Sequence, residues 1–184
     1  MKKLISTLLV LTLILTVGAT AALAEETAPR SFISGVQFNM DMEQVQELLS
    51  KLENMPKPEI DKERTRGTVE FWELEYEDVK GDDGLTADLK FLFVGNGLVA
   101  IHYDMAEGTD YNAVKDQLVQ TFGEATPFDA AKIGNGKFAI DDDGDLKDCV
   151  EMIEAEGVTI VLEKDHEGDM DVTFLDPTAA YINN

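Results

Sequence analysis

The chain has 184 residues, 15 of them basic and 37 acidic, for a net charge of −22 at pH 7. A surface this acidic repels nucleic-acid phosphate and anionic lipid headgroups, which excludes nucleic acid as a partner. With Cys149 as the single cysteine no internal disulfide can form, so stability has to come from the core.

Lys2 and Lys3 precede a long uncharged apolar run, and Ala22-Leu23-Ala24 has the A-x-A form of a cleavage site. Residues 1–24 therefore read as a secretory signal peptide, with no transmembrane segment after them. Loss of Lys2 and Lys3 leaves 13 basic residues against 37 acidic ones, a net charge of −24. Residues 25–31, EETAPRS, read as a flexible start, and 32–184 has the length of one ordinary domain.

FISGVQF (32–38) alternates and predicts a short strand or an extended lead-in. In NMDMEQVQELL (39–49), Asp41 is an N-cap with Gln44 three residues on, the spacing of a capping box. Met40 and Val45 are placed for a hydrophobic staple, and Met42, Val45, Leu48, Leu49 and Leu52 share one helical face. The helix is predicted over about 42–54, stopped by Pro56 and Pro58. EIDKERTRG (59–67) reads as a charged connector.

Three strands are predicted next. TVEFWELEYE sets Trp72, Leu74 and Tyr76 against Glu73, Glu75 and Glu77, with Val69 and Phe71 out of phase, as a bulge or a late start would give. LTADLKFLFV aligns Leu85, Ala87, Leu89, Phe91 and Phe93, and LVAIHYDM aligns Val99, Ile101, Tyr103 and Met105. The GNG between them (95–97) marks a tight hairpin. A second helix is predicted over about 111–122, capped by Thr109 or Asp110 and stopped at Gly123. Residues 124–144 read as loop. Leu146, Cys149, Val150 and Ile153 fit a short helix capped by Asp145, although the same stretch can be extended. GVTIVLE and DMDVTFLD form a second hairpin across KDHEG.

Segregated helices and hairpin-linked strands predict an α+β fold: an antiparallel sheet with helices on one face. Two halves, about 32–107 and 108–184, repeat the order of helix and then strands.

GVQFNMDMEQVQELLSKLENMP (35–56) resembles the entry helix of the BamE/SmpA-like and β-lactamase-inhibitory-protein-like exported domains, which often begin G-M-S/T-x-x-E-V and close with G-x-P. Met40, Asp41, Gln44 and Val45 match that pattern, and Asn39 stands where glycine is usual. LVQTFGEATP (118–127) is similar to the closing stretch, with Gly123 and Pro127 one residue further apart. The resemblance implies an exported binding or assembly module and no enzyme. The chain departs from the lipoprotein members in having no cysteine at the cleavage site, and no functional residue carries over.

Among chemistry-bearing patterns, Asp141, Asp143 and Asp145 in DDDGD occupy the first, third and fifth positions of a calcium loop. Leu146 then stands where glycine is needed and Met152 where a bidentate glutamate is needed, with Glu151 one residue early. DHEGDMD (165–171) is a second acidic turn, in which Asp169 and Asp171 would share a strand face. Glu73, Glu75 and Glu77 form an acidic stripe, with Asp88 alongside, suited to a basic partner or to cations. His102 and Asp104 share one side of a strand; two distant histidines make no zinc set. Ser31, Ser34 and Ser50 lack a nucleophile-elbow setting, and GNG opens no helix, so it is no dinucleotide fingerprint. Cys149 lies between Asp148 and Glu151, an environment that disfavours a thiolate.

The sequence thus predicts a secreted or periplasmic, non-catalytic binding module without cofactor, meeting an extracytoplasmic protein or ligand. The alternative is a calcium-binding exported protein using 141–145 and 165–171.

Overall fold

The computed structural model describes residues 35–52, 55–66, 69–80, 86–129 and 149–178. These form two helices and eight strands: α1 (Met42–Leu49), β1 (Glu59–Arg66), β2 (Val69–Lys80), β3 (Thr86–Val94), β4 (Gly97–Met105), α2 (Tyr111–Phe122), β5 (Ala125–Pro127), β6 (Cys149–Ala155), β7 (Val158–Lys164) and β8 (Met170–Leu175). The strands make one open sheet in the order β1-β2-β3-β4-β8-β7-β6-β5, antiparallel throughout. Each half is a helix followed by a four-strand meander, and the last strands of the two meanders, β4 and β8, meet at the centre.

The entry helix is capped as its sequence predicts. Asp41 Oδ1 accepts from the Gln44 N–H at 2.8 Å and Gln44 Oε1 accepts from the Asp41 N–H at 3.0 Å. The helix is shorter than expected. After Leu49 the N–H groups of Lys51 and Leu52 bond three residues back, to Leu48 and Leu49, which tightens the chain before the prolines. The lead-in clamps onto the sheet: Asn39 N–H donates to the Leu98 carbonyl and Leu98 N–H to that of Met40. Asn39 has φ +67°, a conformation that glycine and asparagine tolerate best, which accounts for asparagine at this position. In α2, Asp110 caps the N–H groups of Asn112 and Ala113, and Gly123 closes the helix at φ +119°. Val45 and Leu49 of α1 and Val114 and Leu118 of α2 are buried in the same core, at the same spacing from their capping aspartates.

That core covers one face of the sheet. Leu74 and Tyr76 of β2, Ala87, Leu89, Phe91 and Phe93 of β3, Ile101 of β4 and Val172 and Phe174 of β8 are buried there, with Trp72 partly so. A smaller apolar cluster, Ala100, Met152, Val161 and Leu175, is buried on the opposite face.

The structure revises several expectations. EIDKERTRG is largely strand β1, paired along β2, because sheet hydrogen bonding is indifferent to side-chain charge at an edge. Against β3, β2 bulges between Tyr76 and Val79, where Asp78 takes φ +54°, and its register with β1 also shifts beside Phe71, between Asp61 and Arg64. Val99 is out of phase with Ile101, because the β3–β4 register slips between Leu92 and Phe93 and turns Leu98 toward the core. The segment that fits either a short helix or an extended stretch is strand β6. It is buried on both faces, Ile153 in the helix-side core and Met152 in the opposite cluster, so the alternation that marks a one-sided strand is absent. Ala125–Pro127, expected as loop, pairs with β6 as β5.

Candidate functional site

The sheet face away from the helices carries the polar constellation. Antiparallel pairing fixes two adjacent rows across it. One row runs Glu75 (β2), Lys90 (β3), His102 (β4), Thr173 (β8). The next runs Asp88 (β3), Asp104 (β4), Asp171 (β8), Glu163 (β7). Four carboxylate residues thus occupy directly opposed positions on four neighbouring strands, and Glu73 lies beyond Glu75 on the same face of β2.

Several of these side chains are tied to one another. Lys90 Nζ lies 3.3 Å from Glu75 Oε1. His102 Nδ1 is 2.9 Å from Thr173 Oγ1, and its Nε2 is 3.5 Å from Asp171 Oδ1. Asp88 Oδ1 accepts from the Asp78 N–H at 2.7 Å, pinning the bulge. Burial alone would lower the Lys90 ammonium pKa, but Glu75, Glu73 and Asp104 outweigh it and hold the group above its ordinary value. Asp104 is displaced upward, by burial first and then by Asp171 and Asp88, against the opposing pull of His102 and Lys90. Glu163 and Thr173 are buried, whereas His102 and Asp171 keep 30% and 28% of their side-chain surface. Water and a partner can therefore reach the centre of the row.

The acidic stripe is only partly assembled as the sequence suggests. Glu73 and Glu75 share this face, and Asp88 is alongside. Glu77 falls in the bulge and is exposed there, without a partner in the β2–β3 register. His102 and Asp104 do lie on one side of β4. Asp171 joins them, but Asp169 lies in the turn before β8 rather than on the strand. Lys90 and Thr173 were not singled out by the sequence. The hairpin register would have given Lys90; Thr173 comes from the β4–β8 pairing, which no local pattern encodes.

Asp141, Asp143 and Asp145 lie outside the described residues. In the 165–171 turn, one oxygen of Asp165 accepts from the N–H groups of Glu167, Gly168 and Asp169 at 2.8–2.9 Å. Burial would push this carboxyl up, yet the three donors outweigh it and hold it below the ordinary value. The carboxylate is committed to its own turn. Among the described residues, no group of three or more His, Cys, Asp or Glu is arranged to hold a metal ion.

A second polar network braces α2 on β6. Glu151 accepts from Tyr111 Oη at 2.8 Å and from Lys115 Nζ at 2.6–2.7 Å, and Tyr111 Oη also lies 3.3 Å from Cys149 Sγ. Burial would raise the Glu151 carboxyl, but Lys115 and Tyr111 outweigh it and keep it ionised. Burial, with Cys149 and Glu151, drives the Tyr111 phenol far up. The thiol sits inside a structural ion-pair network, half-buried.

The chain is an α+β protein built on an open, eight-stranded antiparallel sheet. Comparison with protein-family models, curated proteins and solved structures finds no match. No helix among the described residues is long and apolar enough to cross a membrane.

Proposed function

We propose that this is an exported, non-catalytic binding module of the bacterial cell envelope or secretome, and that its carboxylate-rich sheet face receives a basic partner. The observation that carries the reading is the row Asp88–Asp104–Asp171 on three neighbouring strands, with Glu73 and Glu75 beside it. Like charges in directly opposed positions cost stability. A cationic partner would offset that repulsion and be steered to the face by its field. Export is supported by the leader-like residues 1–24, and a binding role by the likeness of 35–56 to exported binding domains. His102, the one histidine on the face, is already engaged with Thr173 and Asp171.

Two measurements test this. Expression of the full chain in a bacterium should yield an extracytoplasmic protein whose mass begins at Glu25. Titration calorimetry with an oligolysine peptide should then give saturable binding that weakens with salt. The variant Glu73→Gln/Glu75→Gln/Asp104→Asn should lose about tenfold more affinity than a variant with three exposed acids neutralised elsewhere (Glu43→Gln/Asp116→Asn/Glu124→Gln). Equal losses would mean attraction to net charge and no docking face.

A further inference from the structure

We propose that His102, set among Thr173, Asp171 and Asp104, is a proton-sensing centre that lowers the negative charge of this sheet face on acidification and so releases a cationic partner. The release rests on the docking reading above; the proton centre itself does not.

The geometry serves both states of the ring. With the proton on Nε2, the Thr173 hydroxyl donates to Nδ1 across the 2.9 Å contact, and Nε2 faces Asp171 Oδ1 at 3.5 Å. When the ring gains its second proton, Nδ1–H donates to Thr173 Oγ1 instead, because a hydroxyl both donates and accepts. Nε2–H then becomes one half of an ion pair with Asp171. No heavy atom has to move, so the proton is taken up without breaking the β4–β8 pairing. A carbonyl or an amide nitrogen in place of the hydroxyl would favour one state alone.

The surroundings fix the direction. Among the described residues, the groups facing the ring are Asp104 from β4, Lys90 and Asp88 from β3, and Asp171 and Thr173 from β8, with Glu75 and Glu163 one strand further out. Carboxylates outnumber ammonium groups, so a positive charge on His102 is compensated and removes net negative charge from the face. Asp104, whose carboxyl is already displaced upward, takes its proton ahead of ordinary surface acids and adds to the same change at lower pH.

Side-chain NMR of the labelled chain from pH 8.5 to 4.5 reads the His102 titration. Asp171→Asn should lower its midpoint by about one pH unit. Thr173→Val, which keeps the side-chain shape and every charge, should lower it too, because the charged ring loses a charge-assisted hydrogen bond and the neutral ring only an ordinary one. An N-acetylated, C-amidated oligolysine peptide, whose own charge is constant over this range, supplies the second readout. Between pH 7.5 and 5.5 its affinity for the wild type should fall about three- to fivefold more than for His102→Gln. Ring midpoints unmoved by both substitutions would overturn the proton centre. Equal pH dependence in wild type and His102→Gln would overturn the release while leaving the docking face intact. Failure of the peptide to bind at low salt at any pH would sink the docking reading and the release together.

Discussion

Asp104 on β4 stands directly opposite Asp171 on β8, at the seam where the two meanders join. Burial, Asp171 and Asp88 together displace the Asp104 carboxyl upward. An acid raised in the folded state costs stability once ionised: the cost is absent below the unfolded-state pKa and complete above the folded one. Asp104→Asn should therefore stabilise the fold at pH 7.5 by about 0.5 kcal/mol, read as a higher urea midpoint; the gain is small because the exposed side chain is screened by water. The gain should fade as the pH falls toward 4. A loss at pH 7.5 would show that the carboxylate makes a favourable contact outweighing the repulsion.

The brace between α2 and β6 has the opposite pH signature. Lys115 and Tyr111 outweigh burial and hold the Glu151 carboxyl below its ordinary value. That contribution is present above the unfolded-state carboxyl pKa and is lost as the pH drops through the folded one. Glu151→Gln should cost about 1–2 kcal/mol at pH 7 and markedly less at pH 3, read from urea titrations at both values. Tyr111→Phe removes one donor from the same carboxylate and should cost about 1 kcal/mol. The double variant should lose less than the two single losses combined, because the side chains share a network. Strict additivity would mean that the brace is two independent contacts.

Local chemistry made much of this architecture readable. The aspartate caps, the GNG turn and the glycine after Phe122 each act within a few residues, and the elements they bound lie close to where the sequence puts them. Strand β6 was ambiguous because burial on both faces erases the period of two, leaving apolar spacing that also suits a helix. Strand β1 was hidden because its residues are charged, while the hydrogen bonds that define it belong to the pairing with β2. The candidate face was half legible. Alternation alone puts His102 and Asp104 on one side of β4. Thr173 reaches His102 from 71 residues away, through a pairing between the last strands of two meanders, and no local pattern specifies which edges meet.

The two helix caps offer a clean comparison. Asp41 belongs to a reciprocal capping box, whereas Asp110 accepts from two N–H groups without a returning side chain. Replacing either by alanine should cost about 1 kcal/mol in chemical denaturation. Asparagine should restore most of the loss at both positions, since it keeps an acceptor oxygen at the same distance from the backbone. Should asparagine do no better than alanine, the charge near the helix terminus, and not the cap geometry, would be the stabilising element.

Tyr103 presents the reverse case, a polar atom whose removal should help. Its ring packs against Phe174 in the helix-side core, with centroids 5.7 Å apart. Its Oη is buried and, among the described residues, has no hydrogen-bond partner; burial drives the phenol pKa far upward. A buried hydroxyl that exchanges water for nothing carries a desolvation cost of about 1–3 kcal/mol, while the ring itself contributes favourable apolar burial. Tyr103→Phe keeps the ring and deletes the cost. Part of the gain is offset by the small void left where the oxygen was. The net expectation is a stabilisation of about 1 kcal/mol, with no change in the slope of the urea transition, because the surface exposed on unfolding is almost the same. Destabilisation by a similar amount would mean that the hydroxyl is paired in solution. A hydrogen-exchange or NMR search for its partner would then begin with the polar groups nearest the β4–β8 seam.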